Sequence, residues 1–226
     1  MPEGTTVTEE HVREDRRAVE AILGGSVGGG VIAIAGGVLA IIGLAGVEPR
    51  WLLAAATIAV GVSFLIEGAT IAGRLADLLQ EHTHGRVQMA EVGGGTTSET
   101  LAGIAGITLG ILGALNVAPS VLLPIAAIVF GAAALMASGT NVAINQIVAF
   151  HSEESAMAHR VMRQAVFATT GLQVLVGLGA VTLGIIALAG VYPFVLTLVA
   201  MLGISGAFLL SNTAIASRLA GTLRRV

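Results

Sequence analysis

One carboxylate stands inside a long apolar run of this chain: Glu67, in the stretch VGVSFLIEGATIAG at residues 60–73. It follows Trp51 by sixteen residues, so on a helix rising 1.5 Å per residue it lies roughly 24 Å along the run. Thr70, Arg74 and Asp77 follow at helical spacing and form a stripe that emerges into water. Two other apolar runs end in uncharged polar groups: Ser138, Thr140, Asn141 and Asn145 in one, Ser211, Asn212, Thr213 and Ser217 in the other. Glu67, Thr70, Arg74, Asn141, Asn145 and Asn212 are therefore the candidate polar or ion site. Two chemistries fit these residue types. Buried amides and hydroxyls can join helices, at about 0.6 kcal/mol each in membranes, with Glu67 hydrogen-bonded or paired with a neighbouring arginine. Alternatively the same groups line a cytoplasmic-facing vestibule in which Glu67 binds a proton or a cation, since ionisable groups inside a bilayer are costly and often functional.

Other chemistry finds little support. Cysteine is absent, which excludes disulfides and thiolate metal sites. The histidines His11, His82, His84, His151 and His159 are all predicted on the cytoplasmic side, and positions two apart diverge on a helix, so His82 and His84 chelate a metal only from a loop. The glycine clusters GGSVGGG at 24–30 and GGG at 93–95 neither follow a strand nor precede a lysine–serine or lysine–threonine pair. No nucleophile–base arrangement or nucleotide fingerprint is present. A non-enzymatic protein without cofactor or metal is expected. The formal charge of −3 supplies no basic surface for nucleic acid.

The elements that would hold these residues are membrane helices. Of 226 residues, 55% are hydrophobic and 11% charged, against about 25% charged in soluble domains. The mean hydropathy is +0.91. Charges cluster at 3–20, 74–99, 153–163 and 218–225. Between them lie runs near the roughly 20 residues a helix needs to cross a bilayer: about 27–47, 51–72, 100–117, 121–143, 168–190 and 194–216. None alternates as a membrane β-strand would. The acidic, polar N-terminus does not resemble a cleaved signal peptide. All basic residues are arginine, and ten of the eleven fall on one side of the predicted spans, Arg50 alone on the other. The positive-inside rule then places both termini in the cytoplasm, in the inner membrane of a prokaryote.

An internal repeat organises the spans. GGVLAIIGLAGVEP from Gly36, GITLGILGALNVAP from Gly106 and AVTLGIIALAGVYP from Ala180 align without a gap, at shifts of 70 and 74 residues. Pro49, Pro119 and Pro193 coincide, each opening a helix after a tight turn; Gly61, Gly131 and Ser205 coincide downstream. Thr8-Glu9-Glu10 aligns with Ser152-Glu153-Glu154, which predicts cytoplasmic helices starting near residues 8 and 152, and less clearly near Thr83. The expected organisation is an amphipathic N-terminal helix over 1–23, a first repeat over 24–81, a linker and second repeat over 82–151, and a cytoplasmic helix and third repeat over 152–226. The fold expected is all-α: six transmembrane helices as three hairpins in one orientation, about a pseudo-threefold axis along the membrane normal.

The repeat also gives a use for the glycines. Ala33, Gly36, Ala40 and Gly43 align with Gly103, Gly106, Gly110 and Gly113 and with Gly177, Ala180, Gly184 and Ala187. The 3-4-3 spacing puts each set on one helix face, and small residues let helices approach closely where lipid offers no hydrophobic drive. A packing groove is the plainer reading, a narrow passage the alternative. Glycines outside these faces, Gly24, Gly25, Gly28, Gly29, Gly203 and Gly206, leave small-residue surface for further association.

The middle hairpin, GILGALNVAPSVLLPIAAIVFGAAALM, with Asn116, Pro119 and Gly131, resembles the HdeD-like short-repeat membrane proteins. The resemblance implies six spans in three pairs and a role in acid or envelope stress, and it brings no catalytic residues. The expected function is thus a structural, scaffold or accessory membrane subunit, a homo-oligomer or part of a larger complex, whose partner is otherwise the lipid bilayer. A small-solute or ion channel or transporter with its vestibule near Glu67 is one alternative, a stress-resistance protein the other.

Overall fold

The computed structural model describes residues 28–81, 89–149 and 156–223, with side chains described over 28–69, 98–138 and 171–211. All of the described secondary structure is helical. The helices are α1 (Gly28–Leu44), α2 (Pro49–Glu81), α3 (Met89–Ala114), α4 (Pro119–Ala149), α5 (Ala156–Leu188) and α6 (Pro193–Leu223). Within them Pro49–Ala69, Pro119–Ser138, Gly171–Leu188 and Pro193–Ser211 are long and apolar enough to cross a membrane, while Gly28–Leu44 and Ser98–Ala114 are shorter apolar segments. The chain has the make-up of a helical membrane protein. The helices expected near residues 8 and 152, and the less clear start near Thr83, lie outside the described residues; the GGG at 93–95 is inside α3.

Each odd-numbered helix stops short of the predicted end, at Leu44, Ala114 and Leu188, because a left-handed residue closes it two positions later. Gly46, Asn116 and Gly190 take φ of +90°, +65° and +87°. Their N–H groups donate to the carbonyls of Gly43, Gly113 and Ala187 at 3.0–3.1 Å, and the next residues, Val47, Val117 and Val191, donate to Ile42, Leu112 and Ile186 at 3.0–3.4 Å. This is the Schellman cap, for which glycine and then asparagine are the favoured residues. The residue before each proline, Glu48, Ala118 and Tyr192, is also left-handed, at φ of 37–41°. Its carbonyl accepts from the first turn of the next helix, as from Trp51 and Leu52 in the first turn. Proline at the first helical position loses nothing there, because that N–H has no intrahelical partner.

Helices α2, α4 and α6 touch one another, α3 packs against α2 and α4, and α5 packs against α4 and α6. The first helix lies against α2 and α6 through Gly36, Gly37 and Gly43. The even-numbered helices thus form the middle of the bundle and the odd-numbered ones fill the grooves between them. Phe64, Phe130 and Phe208 meet in that middle: Phe64 stacks on Phe130 at 5.1 Å between centroids and takes Phe208 edge-on at 4.6 Å. Leu53, Val60, Leu123, Leu198, Met201 and Ile204 are also fully buried. The outer faces are apolar too, with Val31, Ile41, Leu101, Ile104, Leu175 and Ile185 all exposed. Such a girdle would be an association hazard in water and suits contact with lipid.

Candidate functional site

All twelve positions of the small-residue faces are buried. Each face serves two neighbours, because its helix sits in a groove. A Cβ on Gly103 would lie 2.8 Å from the Gly61 carbonyl oxygen, and one on Gly61 would lie 2.9 Å from the Gly103 oxygen. Seventy and 74 residues further on, Gly131 and Gly177 repeat this contact, at 2.7 and 2.8 Å. Gly110 and Gly184 lie equally tight against Ile58 and Ile128. Gly106 and Gly113 face the other way, onto Phe130 and Leu123 of α4. The closest backbone approaches therefore run between successive hairpins, α2 to α3 and α4 to α5. At the aligned positions between α6 and α1 stand Ser205 and Ala33, both buried. Ser205 lies over Gly36 and Gly37, and its hydroxyl has no hydrogen-bond partner.

Of the glycines expected to leave free surface, Gly29 is buried and its carbonyl accepts from Ser63 Oγ at 3.5 Å. A Cβ on Gly203 would touch only Val176 Cγ1, at 3.7 Å, while around Gly28 and Gly206 there is open space. Gly24 and Gly25 lie outside the described residues.

The same antiparallel contact between α2 and α3 places the carboxyls. From Gly61 against Gly103, Leu65 comes next along α2 and packs on Gly103. Beyond it Glu67 is half-buried, and on α3 Glu99 stands four residues before Gly103, on the glycine face. Glu99 is 2% exposed, and the two side chains are close enough to interact electrostatically. The Oε2 atom of Glu99 is buried without a hydrogen-bond partner. Charge density alone assigns Glu99 to the polar segment 74–99. The signal that places it inside is its register, one turn before the first glycine of the face.

Of the other candidate site residues, Thr70 and Arg74 lie on α2, Asn141 and Asn145 on α4 and Asn212 on α6; their side chains lie outside the described residues. His11, His82, His84 and His151 lie outside them altogether, as does the side chain of His159 on α5. Ser138 is buried, and its Oγ donates to Leu135 O in its own helix at 2.7 Å rather than across to a neighbour. Thr57 and Thr197 likewise bond back to Leu53 and Pro193. Such back-bonding satisfies a hydroxyl in an apolar interior without a partner helix. Among the described residues no group of three metal-ligating side chains occurs. The chemistry open to the site is that of two neighbouring carboxyls in apolar surroundings, which can hold a proton or, ionised, a cation.

At the opposite end of α2, Arg50 donates from Nη1 to Asn116 Oδ1 at 2.7 Å and lies 5.3 Å from the Trp51 ring centroid. The first turn is thereby tied to the second. No family model, curated protein or solved structure matches the chain.

Proposed function

We propose that this chain is a non-enzymatic, multi-pass protein of a prokaryotic inner membrane that serves as a structural or accessory subunit. Its six helices cross the bilayer as three like-oriented hairpins about a pseudo-threefold axis, with both termini in the cytoplasm. What carries this reading is the filled centre: Phe64, Phe130 and Phe208 close the space where α2, α4 and α6 meet. A bundle packed in that way holds a shape rather than conducting along its axis. Gly171 and Gly179, around which a Cβ would meet nothing, leave outer surface on which a further helix can pack closely.

Two measurements test the proposal. Reporter fusions at the turns around Gly46, Asn116 and Gly190 should read as external and fusions at both ends as cytoplasmic; the reverse pattern overturns the topology. Mass determination in mild detergent should give a particle larger than one 22.7 kDa chain, and a strict monomer with no copurifying partner overturns the subunit role. A second reading, ion or solute transport, is favoured by Glu99, a buried carboxyl beside the half-buried Glu67. Proteoliposome flux equal in the wild type and Glu67→Gln would remove it.

A further inference from the structure

We propose that Glu67 and Glu99 form a proton-binding site, in which the two carboxyl groups share one proton between α2 and α3. The inference rests on the membrane-embedded reading above and not on transport.

Two observations carry it. The helix register set by Gly61 against Gly103 brings two acidic side chains together, and two adjacent carboxylates in apolar surroundings repel each other. Independently, Glu99 Oε2 is an oxygen in a side chain 98% buried, with no hydrogen-bond partner. An unsatisfied buried carboxylate oxygen is costly. A proton on one carboxyl removes the repulsion, turns an acceptor into a donor, and gives the pair a hydrogen bond of its own.

The surroundings supply no competing cation among the described side chains. Among the described side chains of α2 and α3, the titratable groups near the pair are Glu67 and Glu99 themselves; the side chain of Arg74, further along α2, lies outside them. The aligned positions on α4 and α6 are Ala137 and Ser211, and Ser138 beside Ala137 is occupied with Leu135 O. The first helix contributes the backbone of Gly29 nearby, which accepts from Ser63. Glu48, Arg50 and Tyr192, the other titratable groups with described side chains, lie at the turn end, roughly 27 Å along α2 from Glu67. The three hairpins are not alike here: Gly29 and Gln173 stand where the second hairpin has Glu99, and Ala137 and Ser211 where the first has Glu67. One α2–α3 seam alone holds the pair, so the proton is bound once per chain.

The test uses dicyclohexylcarbodiimide, a lipid-soluble reagent that modifies protonated carboxyls in apolar sites. The full chain in lipid nanodiscs is labelled across a pH series, with peptide mass mapping of the modified residues. Labelling should fall on Glu67 or Glu99 at neutral pH, spare the exposed Glu48, and decline as the medium is made alkaline. Glu99→Gln should lower labelling of Glu67 by about tenfold, the change expected when two coupled acid sites are separated. No labelling at neutral pH, or labelling of Glu67 unchanged in Glu99→Gln, overturns the proposal. Suppression of labelling by added sodium or calcium ions also overturns it, in favour of a metal-cation site. Equal labelling of Glu99 and Glu48 by a water-soluble carbodiimide shows instead that the membrane-embedded reading has failed. Should Glu99→Gln not fold, the protonated carboxyl band in infrared difference spectra of the wild type decides, and its absence at neutral pH refutes the site.

Discussion

Replacing Gly131 with alanine and, separately, Gly206 with alanine isolates what the close helix contacts are worth. Both glycines lie inside α6 or α4, so alanine brings each the same intrinsic helix gain, about 1 kcal/mol. They differ in what the new methyl group meets. At Gly131 the Cβ would stand 2.7 Å from the Gly177 carbonyl oxygen and 2.9 Å from both the N and Cγ2 of Val181. Two of these three atoms are backbone and cannot rotate aside. Restoring an ordinary separation of about 3.5 Å requires α5 to retreat by roughly 0.8 Å. Overpacking of that kind costs about 1–3 kcal/mol. At Gly206 the Cβ would meet nothing within 4 Å, so only the helix gain remains. Gly206→Ala should therefore be neutral or more stable than the wild type, and Gly131→Ala less stable than Gly206→Ala by about 1–3 kcal/mol. Reversible unfolding in mixed micelles, followed by circular dichroism, measures both on one scale. Equal shifts for the two variants would refute the argument that backbone contact between α4 and α5 sets the packing.

Two further substitutions probe the turns and the odd seam. Asn116→Ala should cost about 1–2 kcal/mol, because alanine dislikes the left-handed backbone and the bond from Arg50 is lost. Asn116→Gly keeps the backbone and loses only that exposed bond, so the same unfolding assay should find a smaller loss, and equal losses would contradict a conformational origin. Ser205→Ala removes a buried hydroxyl with no partner while keeping its Cβ, and should stabilise by about 1 kcal/mol. A destabilised Ser205→Ala would mean that the hydroxyl is satisfied in the membrane.

Much of this architecture is visible in the chain because it is local. Apolar runs between charge clusters mark α1 to α6. The turn residues announce themselves by type: glycine or asparagine at 46, 116 and 190, and proline three positions later. The 3-4-3 spacing names the buried face of each odd helix, since periodicity belongs to a single helix. Helix ends are less legible. Val47 and Val117 look like the last residues of their spans, yet the cap hydrogen bonds stop the helices at Leu44 and Ala114.

By itself the sequence determined that the chain is helical and membrane-like, which faces are small, and that Glu67 stands in an apolar run. Only the tertiary structure decided which groups meet. Glu99 reads as the last of a polar segment, and it is buried because α3 continues its glycine face one turn past Gly103 and seats that turn against α2. Phe130 has no aromatic counterpart one repeat before or after, yet it stacks on Phe64 and fills the space above Gly106. Pairings of this kind depend on the rotation and axial shift of one helix against another. Those are fixed by the contacts of Gly61 with Gly103 and Gly131 with Gly177, where two backbones touch, and no single helix carries that information alone.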